Sequence, residues 1–559
     1  MDLIACDGEW LGHVLRDPGE DAPATVVVLH GAGNGSMERL LPLVDEFAAR
    51  GCRVLAMDFS GHGTSTGELR ESSLERRFAQ AREVIDRLVP AQDPLTLVGF
   101  SMSGQTVADL ARHYGGRVVA LALCAPAVYA REAWPVRFGD GFTGIIREPG
   151  SWRRSGALDA LREFEGVAVL VVPGTDEVIP PAVTEAVEDA LSVRSHYRRL
   201  PLERAGHRLG LWFRDEAEDR RRFVDTVLAP SRTPGWVAKQ LASGGQAREA
   251  GRLRGGWTSQ MRRLRVEEKG GEREVVLRSF VKPFYRRHAP GLLAREAAVL
   301  DLLAGTDVPA ATCLGVDAAG EHCDDPSLLM SLLPGSVRVD TEDVDTRVEL
   351  LARQLVGIHA VTVAEGARPR PYQAWTSPER VRVPRDTGRP ELWARAVRVI
   401  GRPAPSYEGC FLHRDFHPGN VLFQASGSDA ADTGTGAGTR AGSGGGLRIS
   451  GVVDWVETSW GPADLDVAHC STALALLYGV ECGLRFGERY VAHGGVLSAD
   501  PGARLYWRLL DALAFAPDAE KVAGPWRELG RTDLTPELLA ARLEAYIEAV
   551  LGAPGAGTP

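Results

Sequence analysis

Several absences narrow the possibilities before any motif is read. No uninterrupted apolar stretch among the 559 residues reaches the roughly 20 that a membrane-spanning helix needs. The opening MDLIACDGEW carries acids and no apolar segment of the kind a secretory signal requires. The eight cysteines (Cys6, Cys52, Cys124, Cys313, Cys323, Cys410, Cys470 and Cys482) form no Cys-x-x-Cys pair and no Cys/His cluster at zinc spacing. A chain this long has no need of disulfide staples, so buried thiols in a reducing cytoplasm are expected. A basic excess is also missing: 64 Lys and Arg against 74 Asp and Glu leave a formal charge of −10. Such a balance excludes non-specific nucleic-acid binding, which relies on neutralising phosphates, and favours solubility. No repeat of solenoid period interrupts the chain.

The composition that remains, 44% hydrophobic and 25% charged, is that of a globular chain long enough for more than one core. In the first part, TVVVLHG, CRVLAMDF, LTLVGFS, VVALALCAP and VAVLVVPG are continuous apolar runs of strand length. They alternate with amphipathic stretches such as SLERRFAQAREVIDRLV, which predicts a mostly parallel sheet with helices on both faces, an α/β class. The Pro, Ser and Gly of APSRTPG (229–235) mark the domain boundary. A first domain is therefore placed at 1–230, a linker at 231–242 and a second domain at 243–555. The second domain reads as α+β: EREVVLRSF and SLLMSLLPG are strands, and APGLLAREAAVLDLLAG and RVELLARQLVGIHAV are helices. A Gly/Ser/Ala/Thr tract over 425–446 cannot bury a core and is expected to be a disordered insertion in a hairpin turn.

Two constellations carry chemistry. A serine hydroxyl becomes nucleophilic when an imidazole takes its proton and a carboxylate orients that imidazole. GFSMSG (99–104) sets Ser101 on a strand-to-helix turn; Asp176 follows a buried strand in VLVVPGTDEVIP; His207 sits in a Gly-flanked loop in ERAGHRLG. With Ser, Asp and His in that order, residues 1–230 resemble the α/β-hydrolase family, although Ser103 stands where its Gly-x-Ser-x-Gly fingerprint has the second glycine. The resemblance implies oxyanion donors at the backbone N–H of Met102 and of Ala32, the latter in LHGAGNG. It also implies that Asp58 and His62 are structural. Trp134, Phe138, Phe142 and Trp152 either line an acyl pocket or simply pack.

The second constellation suits phosphoryl transfer, which needs metal on the phosphates, a base near the acceptor hydroxyl and a cation on the α/β-phosphates. LHRDFHPGNVLF offers Asp415 as base or hydroxyl-orienting group and Asn420 as a metal ligand, and ISGVVDWVE adds Asp454. Hard oxygen ligands without thiolates suit Mg²⁺. HRDFHPGN, GVVDW and GPADLDVA together resemble the aminoglycoside phosphotransferase family over residues 243–555. That resemblance implies a bilobal protein-kinase-like fold and an ATP site. Residue by residue it gives Arg278 on the phosphates, Glu296 pairing with that cation, and a nucleotide loop with Gly255 and Gly256. It further implies that Asp466 is a structural carboxylate and that His413 holds the loop together.

The reading is a bifunctional enzyme acting on small molecules, with neither nucleic acid nor membrane as partner. One centre is a serine hydrolase of an ester, lactone, thioester or amide; the other is an ATP- and Mg²⁺-dependent phosphotransferase acting on a small-molecule hydroxyl. The covalent fusion alone suggests one shared metabolite, such as an antibiotic with an acyl linkage and a free hydroxyl. Two alternatives stay open: a hydrolase carrying a nucleotide-binding pseudokinase, and a protein-kinase-like regulator.

Overall fold

The computed structural model describes residues 1–552 apart from 20, 21, 23, 242–246, 254–257, 269, 270, 386, 426–445 and 518. The chain divides into two compact units, the first spanning Met1–Ser231 and the second beginning at Arg232. Among the described residues no helix is long and apolar enough to cross a membrane, and all eight cysteines are free thiols.

One sheet organises the first unit. Its strands are β1 (Asp2–Cys6), β2 (Glu9–Arg16), β3 (Thr25–Leu29), β4 (Arg53–Met57), β5 (Leu95–Phe100), β6 (Val118–Cys124), β7 (Val167–Thr175) and β8 (His196–Gly206). Their order is β1-β2-β4-β3-β5-β6-β7-β8. β2 runs antiparallel to both β1 and β4, and every pairing from β4 to β8 is parallel. The continuous apolar runs follow from burial of both faces. Val27 and Leu29 join a core with the helices Leu74–Leu88, Ser103–Tyr114 and Pro181–Arg194. Val26 and Val28, pointing the other way by the two-residue period of a strand, pack with Leu43, Phe47, Phe213 and Phe223. The hairpin β1–β2 was not among the strands read from sequence. It lies at the sheet edge, where Leu3 and Trp10 are exposed and no long apolar run is needed.

The second unit opens with an antiparallel sheet of β9 (Ala247–Arg252), β10 (Gln260–Glu268), β11 (Gly271–Ser279), β12 (Cys313–Asp317) and β13 (Ser327–Ser331), in the order β12-β13-β11-β10-β9. Helix Pro283–Leu303 lays Ala289, Leu293 and Leu300 against Val276, Leu328 and Met330 of this sheet. A helical region follows, and its centre is Ala463–Tyr478, buried continuously from Asp464 to Leu477. A helix that is covered all round is an interior element rather than an amphipathic surface one. Strands Val421–Ala425 and Leu447–Val452 form the expected antiparallel hairpin. Of the insertion expected at 425–446, residues 426–445 lie outside the described residues.

Within the stretch expected as a linker (231–242), residues 233–240 are helical. Thr233–Gln240 is a helix whose Trp236 and Val237 are buried against Leu264, Val266, Val275, Leu277 and Leu329 of the five-stranded sheet. A Pro at the first turn, read from sequence as a breaker, starts the helix instead. Trp236→Ala is expected to destabilise the second unit by about 3 kcal/mol in urea unfolding. A change under about 0.5 kcal/mol would mean that the helix does not dock.

Candidate active sites

Parallel strands bring their carboxyl ends to one edge of a sheet, and the first site is built there. Ser101 follows β5, Asp176 follows β7, His207 follows β8, and His30-Gly31-Ala32 follow β3. Ser101 is left-handed at φ 48°, the conformation of a sharp strand-to-helix turn, at a cost of about 1–3 kcal/mol. Its backbone is over-determined in compensation: Ser101 N–H donates to Cys124 C=O, while Gly104 and Ala127 N–H donate to Ser101 C=O. The turn leaves Ser101 Oγ 3.0 Å from His207 Nε2. His207 Nδ1 lies 3.0 Å from Asp176 Oδ2. The other oxygen of Asp176 accepts the N–H groups of Val178 and Ile179 at 2.8 and 3.0 Å, which locks the carboxylate.

Met102 precedes helix Ser103–Tyr114, so its N–H belongs to the first turn, which has no intrahelical acceptor. The peptide carrying Ala32 N–H is held by its own carbonyl, since Gly31 C=O accepts from His30 Nδ1 at 2.6 Å. Gly31 allows a close approach: a Cβ there would stand 3.2 Å from Ser101 Cβ, a tight contact. Asp58 accepts the N–H groups of Met37 and Thr64, and His62 bonds to Ser60 C=O. Trp134, Phe138 and Phe142 pack with Leu74, Tyr129 and Met102 in one apolar cluster, while Trp152 packs on the main core.

The second site is assembled by two residues three apart on the central helix Ala463–Tyr478, hence on one face of it. Asp466, fully buried, accepts the N–H groups of His413 and Arg414 at 2.8 and 2.9 Å and so fixes the loop that carries Asp415. His413 Nε2 meets Val453 C=O at 3.0 Å, and Val453 N–H donates to Asn420 C=O at 3.0 Å. These bonds place the residue before Asp454 against the Asp415 loop. Asn420 spends its amide nitrogen on Asp415, 3.1 Å from Oδ2, which leaves its carbonyl oxygen available. Arg278 on β11 is buried and donates from Nη1 to Glu296 at 2.8 Å and to Asp454 at 2.9 Å. Burial works against its charge, but the Asp454 and Glu296 carboxylates outweigh it and hold its pKa above the ordinary value. The loop glycines Gly255 and Gly256 lie outside the described residues.

Two residues to which the sequence reading gave no role, His469 and His417, converge on Asp415, and a third, Asp511, supports His469. His469 Nε2 lies 3.0 Å from Asp415 Oδ1, and its Nδ1 lies 3.0 Å from buried Asp511, which also accepts from Thr472 Oγ1 at 2.8 Å. His417 Nε2 stands 3.8 Å from the same Asp415 oxygen. The signal for His469 was its spacing of three from Asp466; Asp511, 42 residues further on, had none. Asp415, His417 and His469 are close enough together to suggest a metal site. The hydrogen bonding argues otherwise. His417 Nδ1 accepts Gly419 N–H, so neutral His417 carries its proton on Nε2 and has no lone pair there for an ion. Burial lowers its pKa to about 4, in keeping with a neutral ring. Partial burial pushes Asp415 up, but the His469 bond and the His417 field hold it below the usual carboxylate range.

Burial also opposes charge on His469, yet Asp511 and Asp415 prevail and raise its pKa to about 9 from 6.5. A histidine raised in the folded state contributes stability that is full below its unfolded pKa and is lost as pH rises through the folded one. His469→Gln should therefore trail the wild type in urea unfolding at pH about 6 and converge with it above pH about 9. A gap that stays constant with pH would contradict the assignment.

Comparisons with known proteins match a segment of each region. Residues 20–148 match the family model described as serine aminopeptidase, S33. Residues 249–431 match the phosphotransferase enzyme family model. Asp176, His207 and Asp454 lie beyond these segments, so the structure alone brings them to their sites. Among solved structures, a CIB-like hydrolase from Thermoplasma acidophilum is 17% identical, covering 40% of this chain and 95% of its own at a TM-score of 0.31. Est1E from Butyrivibrio proteoclasticus, solved with ferulic acid, is 18% identical, covering 41% and 100% at 0.33. A Ralstonia eutropha protein classed with the aminoglycoside phosphotransferases is 15% identical, covering 57% and 97% at 0.37. No curated protein matches. By its family-model matches and sheet topology, the chain is an N-terminal α/β-hydrolase-like region followed by a region similar to the phosphotransferase enzyme family.

Proposed function

We propose that the protein is a two-centre enzyme of small-molecule metabolism, its two domains joined in sequence near residue 232. The first centre hydrolyses an ester, lactone, thioester or amide. Support comes from the unbroken relay of Ser101, His207 and Asp176, with both links at 3.0 Å. Ser101 Oγ attacks the acyl carbonyl while His207 Nε2 takes the proton, and Asp176 holds the imidazole in the tautomer that can do so. Met102 and Ala32 N–H receive the oxyanion, a charge present only along the reaction path. His207 then returns its proton to the leaving group, and water attack through the same imidazole frees the acid.

The second centre transfers a phosphoryl group to a small-molecule hydroxyl. The donor set fits Mg²⁺: the side-chain oxygen of Asn420 has no hydrogen-bond partner among the described residues, and the Asp454 carboxylate is about one-third exposed, with no thiolate among the proposed ligands. Asn420 and Asp454 would hold the metal, and ATP with Mg²⁺, when bound, supplies the phosphoryl group and neutralises its charge. Arg278 sits at the cation position, held there by Glu296. Asp415, whose basicity is lowered, would orient the acceptor hydroxyl by a hydrogen bond and take its proton as the new P–O bond forms and the P–O bond to the departing nucleoside diphosphate breaks. Engagement of Arg278 by both Glu296 and Asp454 also suits a domain that binds nucleotide without turnover, and one experiment separates the two readings.

That experiment is mass spectrometry of a library of hydroxylated esters and lactones treated with ATP and Mg²⁺. Ser101→Ala is expected to lose hydrolysed product and Asp415→Asn phosphorylated product, each by roughly a thousandfold or more and without loss of the other. Nucleotide binding with no phosphorylated product, from wild type as from Asp415→Asn, would establish the pseudokinase. Radiolabel passing from ATP to a protein acceptor would establish the regulator.

A further inference from the structure

Arg77, on helix Leu74–Leu88, has no accessible surface, and among the described residues no carboxylate pairs with it. Its Nη2 donates to His30 C=O at 2.7 Å and to Ser103 Oγ at 2.9 Å. The guanidinium lies 3.7 Å over the Phe59 ring, and Nε and Nη1 have no hydrogen-bond partner among the described residues. Burial lowers its pKa to about 9, which still leaves a cation at neutral pH. An unpaired charge taken this far from water is among the costliest things a fold can hold. Its location gives the cost a purpose.

Ser103, standing where the family fingerprint has glycine, donates its hydroxyl to the same His30 C=O at 2.6 Å. Arg77 and Ser103 therefore fasten two backbone segments together. One is the turn in which Met102 N–H lies between Ser101 and Ser103. The other is the loop in which Ala32 follows His30 by two residues. We propose that Arg77 and Ser103 are positioning residues of the hydrolase centre, which clamp the two oxyanion-donor segments and keep a positive charge beside them that gains a counter-charge only when the tetrahedral anion forms. The proposal rests on the Ser101 reading above. A fixed cation in a low-dielectric site favours the charged transition state over a neutral bound ester, so it acts on kcat more than on KM.

The test uses the full chain with 4-nitrophenyl butyrate, a butylboronic acid that forms a tetrahedral anion on serine, and thermal unfolding. Arg77→Met is expected to lower kcat and boronic acid affinity together, by about tenfold or more, with KM within about twofold. Because it removes an unpaired buried charge, the same substitution should leave the unfolding temperature unchanged or higher. Arg77→Lys should recover part of both losses, and Ser103→Gly should fall between wild type and Arg77→Met. An unchanged kcat in Arg77→Met would overturn the proposal. So would a lowered unfolding temperature with activity that merely follows the folded fraction and intact boronic acid affinity. A fluorophosphonate probe separates this failure from failure of the underlying reading. Wild type that neither hydrolyses the ester nor labels at Ser101 refutes the hydrolase centre and this inference with it, whereas labelled, active wild type matched by Arg77→Met refutes the inference alone.

Discussion

A polar group removed from water must find its partner inside the protein, and both centres are arrangements of groups under that constraint. Asp466 shows it most directly. Wholly buried, it satisfies its oxygens on the backbone N–H groups of His413 and Arg414 and on His359, and in doing so it sets the conformation of the loop that bears Asp415. His469, a turn along the same helix, then settles the Asp415 carboxylate, and Asp511 settles His469. The chemistry of Asp415 is thus decided two partners away. In the first unit the same rule runs from the Val178 and Ile179 amides through Asp176 and His207 to Ser101.

The two units meet the constraint from different frameworks. A parallel sheet delivers several loops to one edge, so residues over a hundred positions apart in sequence, such as Ser101 and His207, come together with no long-range device beyond strand pairing. The second unit has no such edge. Its Asp415 loop sits between short strands, and a buried helix supplies the carboxylate and imidazole that hold it. In the second unit the Asp415 carboxylate stays partly exposed while Asp466, His469 and Asp511, which support it, are buried.

Arg77 departs from the pattern. Arg278, buried at the second centre, is met by the opposite charges of Glu296 and Asp454. Arg77 is met only by a carbonyl, a hydroxyl and an aromatic face. Such an imbalance belongs beside a reaction that creates negative charge, because the stabilisation withheld from the resting protein is then released on the path.

Local pattern made much of this legible. Apolar runs broken by Gly and Pro marked β3 to β7, since both faces of those strands are buried. GFSMSG and HRDFHPGN marked their turns, since short-range sterics and a few side-chain types set such conformations. The hairpin β1–β2 at the sheet edge and the helix Thr233–Gln240 were not legible, because that hairpin carries no long apolar run and a Pro reads equally as breaker and helix start. The alliances of His469 with Asp511, of Arg77 with Ser103, and of Arg278 with Asp454 were likewise beyond reach of sequence. A lone His, Arg or Asp carries no mark of its partner, and only the packing of distant segments determines which charges must share the same dry space.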